Sequence, residues 1–191
     1  VIYRVFHNLN KSRNFTPGFI MVLHTFGRDL KWNPHIHCLI SEGGYSDDGF
    51  WRNVSHFDYA FLRNAFRTVL LNEMQAVIGP SFKKQKASCY DKHKKGFYVY
   101  AKPNKCDPKI VTKYIGRYLG RPVIATSRID SYDGQYVTFH YNRHEDNKYV
   151  EETIPVMEFI QRLIQHIPEK HFKMIRYGGI YARHRDIDKK L

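Results

Sequence analysis

Two short apolar runs with a break between them constrain this chain more than any other feature of its sequence. Residues 19–26 (Phe-Ile-Met-Val-Leu-His-Thr-Phe) follow Pro17-Gly18 and stop at Gly27, and residues 35–41 (His-Ile-His-Cys-Leu-Ile-Ser) follow Asn33-Pro34 and close on Gly43-Gly44. Each run is of strand length and bounded by turn formers, and the link of roughly eight residues between them fits an antiparallel hairpin with a longer loop. A chain that commits these segments to a hairpin must build the rest of a sheet and something to cover it. The longest unbroken apolar run, residues 19–23, falls far short of the ~20 residues that cross a bilayer, and no basic-then-apolar leader opens the chain, so no membrane attachment is expected.

The period changes after the hairpin. Phe57, Phe61, Ala65 and Val69 share a helical face with Leu62, Phe66, Leu70 and Val77, while Arg63, Arg67 and Glu73 fall elsewhere. This predicts a long amphipathic helix capped by Ser55, with Asp58 three residues on, and stopped by Gly79-Pro80. Residues 83–105 carry eight lysines against one acid, Asp91, and read as a solvated loop around a strand-like segment, 97–101. Asp107-Pro108 opens and Gly120 with Pro122 closes a short helix. Residues 123–129, 136–141 and 148–154 then predict a three-stranded meander, with Asp133-Gly134 as its first turn. Pro155 opens a last helix, on which Val156, Phe159, Ile160, Leu163, Ile164 and Ile167 recur up to Pro168. The expected fold class is α+β, a central, mainly antiparallel sheet with flanking helices. The expected organisation is an approach segment over 1–18, a domain over 19–179 and a polar tail over 180–191. The chain opens on Val1 with an apolar pattern already running at Ile2, Val5 and Phe6, from which an upstream continuation is expected.

Composition narrows the partners. Lys and Arg number 31 against 18 Asp and Glu, a formal charge of +13, and the polyanion a basic protein most often meets is a nucleic-acid backbone. Cys38, Cys89 and Cys106 are widely spaced and form no Cys-x-x-Cys pair, which excludes a disulfide framework and a cysteine zinc knuckle and points to a reducing cytoplasm.

Strand geometry gives the chemistry. Residues two apart on a strand point the same way, so His35 and His37 offer two imidazoles on one face, with Ile36 expected to be buried on the other. A divalent ion takes such nitrogens, and a catalytic ion needs a further ligand and an open position. His24, on the neighbouring strand, is the candidate. Tyr114 and Tyr118 are four apart on the short helix and share a stripe between the apolar Val111, Ile115 and Leu119 and the cations Lys113 and Arg117. A phenol attacks a phosphodiester only where a metal or cation polarises the phosphate, so the clamp and the phenols answer one problem together.

Pro34-His-Ile-His37 with Tyr114-Ile-Gly-Arg-Tyr118 resembles the His-hydrophobic-His (HUH) endonucleases, and specifically the two-tyrosine transposases of rolling-circle insertion sequences. The resemblance extends to His24-Thr-Phe-Gly-Arg-Asp-Leu30, Tyr118-Leu-Gly-Arg-Pro122, Val137-Thr-Phe139 and Phe172-Lys-Met-Ile-Arg-Tyr-Gly178. It implies a ferredoxin- or RRM-like palm with the histidines on a central strand, and a magnesium or manganese ion held by His35 and His37 with His24 as the remaining ligand. It also implies Tyr114 and Tyr118 as nucleophiles, and single-stranded DNA at transposon ends as the partner, in a bacterial cytoplasm at the nucleoid. The cysteine-rich zinc-binding segment upstream in that family has no counterpart here. Lys113, Arg117 and Arg121 are expected near the phosphates, and Lys94, Lys95 and Lys102, with Tyr98 and Tyr100 as stacking platforms, along the strand. Three other readings compete. A replication initiator or relaxase shares the chemistry, a silent nucleic-acid-binding module needs only the charge and the aromatics, and a barrel metal hydrolase calls for ~250 residues and strand–helix alternation.

Overall fold

In the computed structural model the hairpin is present and longer than the runs that announce it: β1 is Phe15–Phe26 and β2 is Trp32–Ser46, joined by residues 27–31. The structure describes residues 1–2, 15–54, 58–100, 113, 116 and 121–182. With β3 (Trp51–Asn53) and β7 (Ile175–Gly179) the hairpin makes a four-stranded sheet of order β3-β2-β1-β7, and β4 (Ile129–Tyr132), β5 (Tyr136–Asn142) and β6 (Tyr149–Pro155) make a separate three-stranded sheet in that order. Together with the helices below they give the expected α+β class. Neither Asn33-Pro34 nor Gly43-Gly44 ends a strand. Strand β3 pairs only with Gly43, Gly44 and Tyr45, so among the described residues Pro34 has a neighbouring strand on one side alone, where a missing amide hydrogen is tolerated. Gly44 is needed because a Cβ there would strike the Thr16 carbonyl.

The chain divides into two compact units, the first made of Val1–Phe19, Ile40–Lys105 and Gly178–Leu191, the second of Ile20–Leu39 and Cys106–Tyr177. In the first, α1 (Tyr59–Ile78) is capped by Asp58, which accepts from the Phe61 amide at 2.9 Å, and not by Ser55, which lies outside the described residues. Gly79 ends the helix in a left-handed conformation (φ 88°), as its sequence predicts. Its buried stripe runs through Leu62, Arg67 and Leu71, whereas Leu70 and Val77 face water. The lysine-rich segment is not a loop throughout. Lys83–Lys92 is helix α2, tied to α1 by the Lys86 ammonium, which donates to Asn72 Oδ1 and Gln75 Oε1 at 2.7 Å each, and residues 97–100 form no strand.

In the second unit the meander comprises β4 (Ile129–Tyr132), β5 (Tyr136–Asn142) and β6 (Tyr149–Pro155), with β5 and β6 in register from Tyr136 opposite Pro155 to Asn142 opposite Tyr149. Strand β4 starts later than the apolar run because Thr126–Arg128 makes a 3-10 turn, while Val123 and Ile124 pack on the core from outside the sheet. Alternation sends Val137, Phe139 and Ile154 inward, where they meet Phe159 of α3 (Val156–Ile164) and Leu30. Helix α3 stops short of Pro168, whose ring disfavours helical backbone in the residue before it. Strand β7, unanticipated from sequence, runs antiparallel to β1, with the Leu23 amide donating to the Met174 carbonyl at 2.9 Å.

Candidate metal centre

The turn between β1 and β2 sets the centre. The Gly27 amide donates to the Lys31 carbonyl (2.9 Å), and Leu30 takes a left-handed backbone (φ 63°) that a branched side chain normally avoids. Its fully buried side chain, packed among Val137, Phe139, Ile154 and Phe159, offsets that strain. His166, just beyond α3, locks the same turn: its Nε2–H donates to the Leu30 carbonyl at 2.8 Å and its Nδ1 accepts from the Thr25 hydroxyl at 3.1 Å, a tautomer assigned from these partners. Trp32 stacks on the His166 ring, with centroids 5.9 Å apart and planes 5° apart. With the turn fixed, the register is fixed, and with it the face to which each histidine points.

His24 from β1 and His35 and His37 from β2 converge. Ring centroids are 4.7 Å apart for His24–His37, 5.5 Å for His24–His35 and 5.0 Å for His35–His37. Their potential ligand nitrogens all lie within 4.8 Å of one another. His24 is buried and stacked on Phe26, while His35 and His37 are half-buried, so the cluster has a closed floor and an accessible side. His35 Nδ1 is 2.7 Å from the Asn33 carbonyl and donates to it, which leaves the Nε2 lone pair for an ion. Burial, reinforced by His24, His35 and Arg121, pushes the His37 pKa down to about 4, so this ring is neutral at physiological pH. The adjacent Cys38 thiol is pushed up to about 12 by burial and is no thiolate ligand. Three imidazoles with a solvent-facing side could hold a divalent ion and leave it an open position. One expectation fails here: Ile36 is 50% exposed, because no described element covers the face of β2 opposite the imidazoles at that position.

The remaining site residues fall into four groups. Arg121 belongs to the same unit as the imidazoles and is close enough to His37 to act on it electrostatically. Lys113 is exposed on helical backbone. Tyr114, Tyr118, Arg117 and Lys102 lie outside the described residues. Lys94, Lys95, Tyr98 and Tyr100 are exposed on the first unit, on a segment held by two arginines whose sequence position suggested a solvent face. Arg63 donates to the Val99 carbonyl (3.2 Å) and lies 5.8 Å from the Tyr98 ring centre. Buried Arg67 donates to the His93 and Lys94 carbonyls and lies 4.5 Å from the Tyr90 ring centre. Their spacing of four residues, which places both on one side of α1, was the signal available for that role. His166 was missed as well, for in the sequence it reads as one more polar residue on the last helix, which in the structure ends at Ile164.

No helix among the described residues is long and apolar enough to cross a membrane. A family model described as "Putative transposase" matches residues 18–188. The transposase for insertion sequence element IS801 of Pseudomonas savastanoi pv. phaseolicola is 32% identical over 187 residues, an alignment covering 90% of this chain and 45% of that protein. "Putative transposase y4qJ" of Sinorhizobium fredii (strain NBRC 101917 / NGR234) is 30% identical over 184 residues, covering 85% of this chain and 45% of its own. The chain thus spans less than half the length of the curated relatives it matches. No solved structure matches it.

Proposed function

We propose, from the premise that this chain belongs to that transposase family, that it nicks and rejoins single-stranded DNA at transposon ends through covalent 5′-phosphotyrosine intermediates. The observation that carries the reading is the meeting of His24, His35 and His37 from adjacent strands with one side open. Magnesium or manganese, when bound there, polarises a phosphodiester and eases proton loss from an attacking phenol.

The chain's own residues supply the rest. His35, its Nδ1–H held by the Asn33 carbonyl, and neutral His37 present lone pairs without first losing a proton. The Tyr114 or Tyr118 oxygen attacks phosphorus; the new P–O bond forms as the P–O3′ bond breaks, and the phenolic proton balances the charge on the departing 3′ oxygen. The product is a 5′-phosphotyrosine and a free 3′-hydroxyl. Attack by another 3′-hydroxyl reverses the step with no external energy source, and two tyrosines permit two such exchanges. Lys113, Arg117 and Arg121 offset phosphate charge near the break, while Lys94, Lys95 and Lys102 follow the backbone and Tyr98 and Tyr100 stack bases. The place of action is the bacterial cytoplasm, at the nucleoid.

With manganese and a labelled single-stranded oligonucleotide spanning an end of the element that carries the gene, the purified chain is expected to form an adduct that survives denaturing electrophoresis. Tyr114→Phe with Tyr118→Phe abolishes the adduct, and His35→Ala with His37→Ala abolishes stoichiometric manganese binding. An adduct that persists in the double phenylalanine variant, or a wild-type chain that binds no ion, would falsify the assignment.

A further inference from the structure

Three arginines of the second unit carry positive charge that no acid neutralises among the described residues, and the fold anchors two of them, Arg28 and Arg128, on backbone carbonyls. Arg28, in the turn after β1, donates through Nη1 to the Asn142 carbonyl at 2.9 Å. Arg128, just before β4, donates through Nε to the His140 carbonyl at 2.8 Å and through Nη2 to the Arg28 carbonyl, which puts its guanidinium beside Arg28. These acceptors are backbone carbonyls, which fix a guanidinium in place and leave its charge intact. Arg121 is near enough to act electrostatically on both Arg128 and His37. Among the described residues none of the three shares an ion pair, and the acids closest in sequence are engaged elsewhere, Asp29 with Lys31 and Asp130 with His140. The strongest influences on Arg128 after burial are those of Arg121 and Arg28, both repulsive.

A half-buried guanidinium held between two others is costly unless an anion joins them, and the planar fork of N–H donors matches two phosphate oxygens. Arg28 and Arg128 both keep N–H donors beyond those given to carbonyls. We propose that Arg28, Arg121 and Arg128 form a phosphodiester-binding subsite that holds one backbone phosphate of the bound DNA strand next to the three imidazoles. The subsite rests on the reading of the chain as an enzyme of single-stranded DNA and adds Arg28 and Arg128 to the residues that position the strand.

The test measures binding of the whole chain to fluorescein-labelled oligothymidine by anisotropy, without divalent ions, from 50 to 300 mM salt. Each phosphate contact to a single strand contributes about 0.7 to the slope of log K against log salt. One phosphate shared by three cations accounts for about 0.7 in all, so Arg28→Gln and Arg121→Gln are each expected to lower the slope by a measurable part of that and to weaken binding by up to about fivefold at 0.1 M salt. Arg143→Gln, whose charge is already paired with Asp146 at 2.7 Å, leaves both unchanged. Arg128 is kept because its bonds hold β4 beside β5. Wild-type slopes in Arg28→Gln and Arg121→Gln, an equal drop in Arg143→Gln, or no oligothymidine binding by the wild-type chain would each overturn the subsite. Failure of manganese binding or of the adduct bears instead on the enzyme reading and leaves the salt slopes as they are.

Discussion

Replacing His166 by phenylalanine tests how the turn that sets the imidazoles is held. The substitution keeps a flat ring for Trp32 to stack on and removes two hydrogen bonds, the one accepted from Thr25 at 3.1 Å and the one donated to Leu30 at 2.8 Å. The two losses are not equal. The Leu30 carbonyl keeps a second donor, the Gln165 amide at 3.2 Å, so its loss costs about 1 kcal/mol, the net value of one bond. The Thr25 hydroxyl, on a residue only 7% exposed, has no comparable substitute among the described residues and costs a further ~1–3 kcal/mol if stranded. The expected destabilisation is therefore about 2–4 kcal/mol, or roughly 4–16 °C in Tm for a chain of this size. Urea and thermal unfolding followed by circular dichroism measure it. Thr25→Val then supplies the internal control: added to His166→Phe it removes the stranded hydroxyl and costs little or nothing more, giving a coupling of roughly 1–2 kcal/mol between the two sites. A His166→Phe variant within about 0.5 kcal/mol of wild type, or strictly additive costs in the cycle, would refute the claim that this histidine holds the turn.

Two further predictions concern the second unit. Phe139→Ala removes a fully buried ring whose centroid lies 5.6 Å from that of Phe159, and is expected to cost about 3–5 kcal/mol in the same unfolding assay; a loss below 1 kcal/mol would show that the core closes over the gap. Asp133 accepts from the Tyr136 and Gln135 amides, which hold its carboxyl below the usual carboxylate value, so its ionised form stabilises the native turn. That contribution is complete above the unfolded value near pH 4 and is lost as pH falls through the lower folded value, so the stability gap between wild type and Asp133→Asn should be open at pH 7 and closed in strong acid; a gap unchanged across that range contradicts it.

What the sequence made legible, and what it hid, follows from where the determining interaction lies. The hairpin and the His24–His35–His37 cluster were readable because period two and turn formers are local signals, and one pairing assumption joined them. Strand β7 was not, because Ile175-Arg-Tyr-Gly-Gly has no alternation of its own and is a strand only by virtue of pairing with β1. Helix α2 was mistaken for loop because its lysines mask the partners that hold it, Asn72 and Gln75 on α1 and the buried Phe82 that precedes it. Arg67 looked like a solvent-facing cation, and only a ring from Tyr90 and two distant carbonyls make burial tolerable for it. Ile36 shows the reverse error, for alternation tells which way a side chain points but not whether anything lies there to cover it.

Pro34 has a consequence for how the protein keeps company with itself. A bare strand margin invites another chain to dock along it, and the stretch of β2 that carries His35 and His37 has such a margin among the described residues. A residue with no amide hydrogen one position before His35 spoils that template, so the border can stay uncovered without seeding aggregates, and the way in to the imidazoles stays clear for a flexible polymer.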